Sequence, residues 1–131
     1  MRGSRARQRR NLGDLSVMSF EKLDVYKVAI EFLGKATQIN QSSPKGHADL
    51  LDQLKRAAIS IPLNIGEATG KTSKPDMRRY FAIARGSAME CGAILDVFAT
   101  LEIIERNEAE TAKLLVERIV AMLTRLIRPL P

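Results

Sequence analysis

The chain has 131 residues, 45% of them hydrophobic and 27% charged, with a formal net charge of +6. That length suits one domain, and the apolar share supplies a core and excludes wholesale disorder. No apolar run of about 18 residues is present to span a bilayer, and the basic N-terminus lacks the apolar stretch of a signal peptide.

Cys91 stands alone, so no internal disulfide can form, and the expected place is the cytoplasm. The positive charge is unevenly spread. Residues 1–17 hold Arg2, Arg5, Arg7, Arg9 and Arg10 against Asp14, a net of +4, which leaves +2 for the other 114 residues. This segment has no helical apolar period, and Met18-Ser19-Phe20-Glu21 reads as a start. We therefore expect residues 1–17 to be a disordered basic leader foreign to the domain, and residues 18–131 to form the domain.

Four helices are expected. In the first, Leu23, Tyr26, Ile30, Leu33 and Thr37 recur at helical spacing, and Val25, Val28, Phe32, Ala36 and Ile39 do so on a neighbouring face. One helix of a lone bundle needs one such stripe, so the second predicts a subunit contact. The loop Asn40–His47 follows. The second helix begins near Ala48 or Asp49, with a core face of Leu51, Leu54, Ala58, Ile61, Ile65 and Ala68 and an expected kink at Pro62. Gly70 and the run from Lys71 to Pro75 turn the chain.

Ser73 with Asp76, and Pro75 between them, predicts the start of the third helix. Its core face is Met77, Tyr80, Phe81, Ala84, Ala88, Cys91, Leu95, Phe98 and Leu101, running to about Ile104. Asn107 with Glu110 predicts a second cap of the same kind. Leu115, Ile119, Met122, Leu123 and Leu126 then carry the fourth helix to Arg128, and Pro129 stops it. Short connections imply antiparallel neighbours, hence an all-α, up-down-up-down four-helix bundle, and the second stripe of the first helix predicts that it assembles with copies of itself; a homo-oligomeric ring is what the family resemblance named below implies.

Catalytic chemistry is hard to find. His47 is the one histidine and lies in a loop, which leaves no His-based metal site and no Ser–His pair. Cys91 falls on an apolar face, where a thiol packs as a small core residue. The glycines lack GxGxxG or P-loop spacing, and no Glu-x-x-His pair exists to build a di-metal carboxylate bundle. The aromatics Tyr26, Phe32, Tyr80, Phe81 and Phe98 fall at core spacing, none interleaved with basic residues as a single-strand stacking platform requires. We expect no enzyme, no metal and no cofactor.

One polar group stands out. Gln53, Arg56, Ser60, Asn64 and Glu67 follow helical spacing beside the core face of the second helix, and Arg85, Gly86, Ser87 and Glu90 do something similar on the third. Such a group is either a hydrogen-bonded network, with Arg and carboxylate satisfying each other across helices or subunits, or a ligand-contacting surface. Gly86 in mid-helix costs about 1 kcal/mol relative to Ala, which suits a place where another backbone comes close.

The stretch from Gln53 to Ala68 (QLKRAAISIPLNIGEA), followed by Ala84-Arg85-Gly86-Ser87-Ala88-Met89-Glu90, resembles the four-helix-bundle family encoded within intervening sequences of bacterial large-subunit ribosomal RNA. Phe20-Glu21-Lys22-Leu23-Asp24-Val25-Tyr26 resembles that family's opening helix, so the likeness spans residues 18 to about 128. Two departures are visible: Ala68 stands where the family usually has Gly, and the loop from Pro44 is one residue short with no matching Glu. The resemblance implies an antiparallel bundle, commonly a homopentamer, with no established catalysis. It also implies kinship with the accessory protein of diversity-generating retroelements, which binds a reverse transcriptase and nucleic acid.

Charge is arranged along the bundle as well. The second turn and both chain ends share one pole, holding Lys71, Lys74, Arg78, Arg79, Arg125 and Arg128. Glu102, Glu105, Glu108 and Glu110, with Asp49 and Asp52, take the other. Arg78 and Arg79 at the start of the third helix and Glu102 and Glu105 at its end run against the helix dipole. A ring repeating the basic pole makes an annular site for RNA or DNA, held by phosphate contacts. The alternatives are a scaffold for a protein partner such as a reverse transcriptase, or a solvated end that aids solubility.

Overall fold

The computed structural model describes Phe20 and residues 23–131; the expected leader, residues 1–17, lies outside them. Four helices follow in order: α1 (Asp24–Ser42), α2 (Ala48–Thr69), α3 (Lys74–Thr100) and α4 (Arg106–Ile127). Each packs on two others, α1 on α2 and α4, and α3 on α2 and α4, so the antiparallel bundle closes on itself. Among the described residues no helix is long and apolar enough to cross a membrane.

Of the two stripes on α1, the core takes Val25, Val28, Phe32, Ala36 and Ile39. The other stripe is left outside: Leu23, Tyr26 and Leu33 are half-buried, Thr37 is exposed, and Ile30 is 44% exposed. The surplus apolar face expected from periodicity is therefore present on the surface. Helix α1 also runs three residues further than the loop boundary placed at Asn40. The Asn40 amide donates to the Leu51 carbonyl at 2.8 Å, tying the last turn of α1 to the first of α2. Ser43 Oγ donates back to the Ile39 carbonyl at 2.6 Å and closes the end.

Helix α2 stays α-helical through Pro62, whose ring is buried. The expected start of α3 is observed, with Ser73 Oγ accepting from the Asp76 N–H at 3.2 Å and Pro75 in the first turn. Its end is not where apolar spacing placed it. The helix stops at Thr100, and Leu101, expected in the core, is 52% exposed. Glu102 takes a left-handed conformation (φ 60°), the Ile103 N–H bonds the Phe98 carbonyl at 2.8 Å, and the Glu102 N–H bonds Ala99 at 3.1 Å. These two bonds form a Schellman stop with Glu where Gly is usual. Ile103 and Ile104 then turn inward and are buried, which starts α4 at once. The expected Asn107–Glu110 cap is accordingly displaced: Glu105 occupies the N-cap, without a side-chain cap bond, and Asn107 is already helical.

That boundary also revises the charge argument. Glu105 sits at the N-terminus of α4, where the dipole favours a carboxylate, and Glu102 lies past the end of α3. Lys74, the first residue of α3, lies where the dipole disfavours a cation, and Arg78 and Arg79 follow in the second turn, where that effect has largely faded.

Candidate nucleic-acid interface at the α2–α3 turn

The six basic residues expected at one pole are split by the bundle's corners. Lys71, Lys74, Arg78 and Arg79 cluster around the turn from α2 into α3. Arg125 instead borders a groove between α1 and α4 with Leu23, Asp24, Val25, Met122 and Leu126. Arg128 is exposed just past α4. Since α1 and α4 adjoin, their shared end forms a second, weaker basic corner, beside Asp24.

The α2–α3 corner is built by local forces. The Ser73 cap fixes the start of α3, and a turn of four residues brings Lys71 back beside the second turn of that helix. The Lys71 ammonium pairs with Glu67 at 3.1 Å and lies 4.7 Å from the centre of the Tyr80 ring. The hydrogen bond and charge of Glu67 raise the Lys71 pKa above its ordinary value, so it stays cationic. The Arg79 guanidinium lies 5.2 Å from the same ring. Tyr80 is half-buried against the core and is contacted by two cations. Its spacing is that of a core residue, and the adjacency Arg79-Tyr80 is the one sign in the sequence of a basic neighbour; Lys71 reaches the ring from the preceding turn only through the fold. Lys74, Arg78 and Arg79 are exposed and have no ion-pair partner among the described residues.

The polar group between α2 and α3 is partly a network. Ser60 Oγ and Ser87 Oγ share a hydrogen bond of 2.8 Å, and the Asn64 amide donates to the Ser60 carbonyl at 2.8 Å and to Ser60 Oγ at 3.0 Å. Gln53 reaches Glu90 at 3.4 Å. The expected cross-helix Arg–carboxylate pairing is absent among the described residues. Arg56 pairs with Asp52 of its own helix at 2.9 Å, and Glu67 serves Lys71. Arg85 does not join the group, because two residues apart on a helix means about 200° around it from Ser87. The α3–α4 flank carries a different pair, Lys113 to Asp96 at 2.8 Å.

Two exposed faces are apolar. Between α1 and α2 a groove is lined by Phe20, Tyr26, Leu33, Ile59, Pro62 and Leu63, with Leu63 64% exposed. On α3 the outward face carries Ala82, Ile83, Gly86, Met89, Ala93 and Val97, all exposed. Gly34 and Gly86 lie on the outward sides of α1 and α3, and a Cβ at either would meet nothing within 4 Å. Packing within the chain therefore does not require a glycine at either position.

No cluster of metal-ligating residues exists among the described residues. Burial pushes the Cys91 thiol up to about 12, so it stays protonated and inert near neutrality.

The chain is similar to a crystal structure of a protein of unknown function from the S23 ribosomal protein family of Bacteroides thetaiotaomicron VPI-5482. The identity is 24%, the TM-score 0.71, and the match covers 79% of this chain and 97% of that one. This likeness bears on the fold. No curated protein matches the chain. A family model, the 23S rRNA-intervening sequence protein, matches residues 21–125. With the four-helix bundle and most of the chain inside that match, the chain belongs to the family of 23S rRNA-intervening sequence proteins.

Proposed function

We propose that the chain is a non-enzymatic subunit that assembles with copies of itself and presents the α2–α3 corner to nucleic acid. The observation that carries the second part is the crowding of Lys71, Lys74, Arg78 and Arg79 around the α2–α3 turn, with Lys74 placed against the helix dipole. Phosphate contacts from such a corner give affinity that falls steeply with salt and has little sequence preference. Assembly is supported by the two exposed apolar faces and by the open space around Gly34 and Gly86. The faces differ in composition, so one docking on the other is a head-to-tail contact, and a ring is the closed form of such a contact, which repeats the basic corner once per subunit. Five copies is the count that the family resemblance implies.

The double substitution Arg78→Ala with Arg79→Ala tests the nucleic-acid assignment. We expect RNA affinity to fall by about tenfold or more near 0.1 M salt, with the salt slope reduced by about two. Unchanged affinity and slope would defeat it. A second reading, a scaffold for a protein partner, is favoured by the apolar groove of Tyr26, Leu33, Ile59 and Leu63, whose lining suits the apolar face of an amphipathic helix. In that case Leu63→Asp abolishes partner capture, while the double substitution Arg78→Ala with Arg79→Ala leaves it as it was.

A further inference from the structure

We propose that Tyr80 is a base-stacking residue, making the α2–α3 corner a site for single-stranded nucleic acid in preference to duplex. The inference rests on the nucleic-acid assignment above and adds the substrate class. Its ground is the arrangement of the Tyr80 ring, held against the core on one side and contacted by the Lys71 ammonium at 4.7 Å and the Arg79 guanidinium at 5.2 Å.

A nucleotide carries a flat, weakly polar base and an anionic phosphate a few bonds apart. The corner offers a flat ring and two cations at a similar separation. When a strand docks, the phosphates draw the two cations off the ring, and a base takes the face they leave. The Arg79 guanidinium, itself planar, can stay stacked on the far side of that base. In a duplex the bases are already stacked on one another, so only the phosphate contacts remain and the ring contributes nothing. The packing of Tyr80 on the core limits its motion, so little side-chain entropy is lost on binding. Neither cation is consumed elsewhere in a way that blocks this. Arg79 has no ion-pair partner among the described residues, and Glu67, which pairs with Lys71, is itself exposed.

The experiment uses the full chain with fluorescein-labelled oligouridylate and a duplex RNA of equal phosphate count. Tyr80→Leu is expected to weaken oligouridylate binding about tenfold, within the range for loss of one stacked base, with duplex binding and the salt slope unchanged. Tyr80→Phe is expected to keep wild-type affinity for both. Equal weakening for both probes would show that the ring merely positions the cations and would overturn the inference. No effect on either probe would also overturn it, while leaving the nucleic-acid assignment intact. Binding of neither probe by the wild-type chain would defeat that assignment itself.

A second measurement avoids touching Tyr80. The chain has two tyrosines and no tryptophan, so in Tyr26→Phe the emission comes from Tyr80 alone. Saturable quenching by unlabelled oligouridylate, absent with duplex, is expected. Undiminished emission at saturating oligouridylate would contradict stacking.

Discussion

Gly86→Leu is expected to leave the single chain folded and to abolish its assembly. Gly86 lies in the middle of α3 on an exposed face, and a Cβ there meets nothing within 4 Å. Leucine is the better helix former by roughly 0.8–1 kcal/mol, so the isolated bundle gains stability. The same side chain fills the space that a neighbouring subunit's helix occupies if the α3 face is buried in an assembly, where overpacking costs about 1–3 kcal/mol at each contact. The two effects have opposite signs and separate measurements. Light scattering is expected to give a multiple of 14.6 kDa for the wild type and 14.6 kDa for the variant, which unfolds at a higher temperature than a wild-type chain diluted to monomer. An unchanged multiple would show that the α3 face is not in the interface. A wild-type mass of 14.6 kDa at all concentrations would remove the assembly altogether.

Phe98→Ala carries the largest expected cost to the fold. Phe98 is fully buried in the last turns of α3, just before the chain reverses at Glu102. Truncating a buried phenylalanine loses about 3–5 kcal/mol, against about 5–15 kcal/mol for a whole domain. The urea midpoint is therefore expected to drop by about a fifth of its value or more. A loss below about 1 kcal/mol would contradict the core placement.

Helical periodicity made the bundle legible, and its failures have specific causes. Both stripes of α1 obey the same period, so spacing alone could not say that Phe32 faces the core and Ile30 the outside; packing against α2 and α4 decides that. The cap at Ser73 was readable because a serine hydroxyl reaches an N–H three residues on without help from the rest of the fold. The end of α3 was not, because Leu101, Ile103 and Ile104 prolong the apolar pattern while Glu102 has already turned left-handed without a glycine to announce it. Once that turn is fixed, burial of Ile103 and Ile104 pulls α4 in early and places Asn107 inside the helix. At the candidate interface, the charges of Lys71, Lys74, Arg78 and Arg79 were visible in the sequence. Their separation from Arg125 was not, since it depends on which helices share a corner. Tyr80 looked like a core residue because its spacing is that of one; only the fold brings Lys71 from the neighbouring segment to its ring.

The most direct test of the account is RNA binding by the chain starting at Met18, titrated across salt. Removing residues 1–17 leaves a formal charge of only +2, so any strong electrostatic binding must come from a local concentration of cations. Binding is expected with a steep negative slope of log affinity against log salt, corresponding to about four phosphate contacts per subunit from Lys71, Lys74, Arg78 and Arg79. No binding, or binding whose strength depends on restoring residues 1–17, would contradict it and turn attention to the apolar groove between α1 and α2.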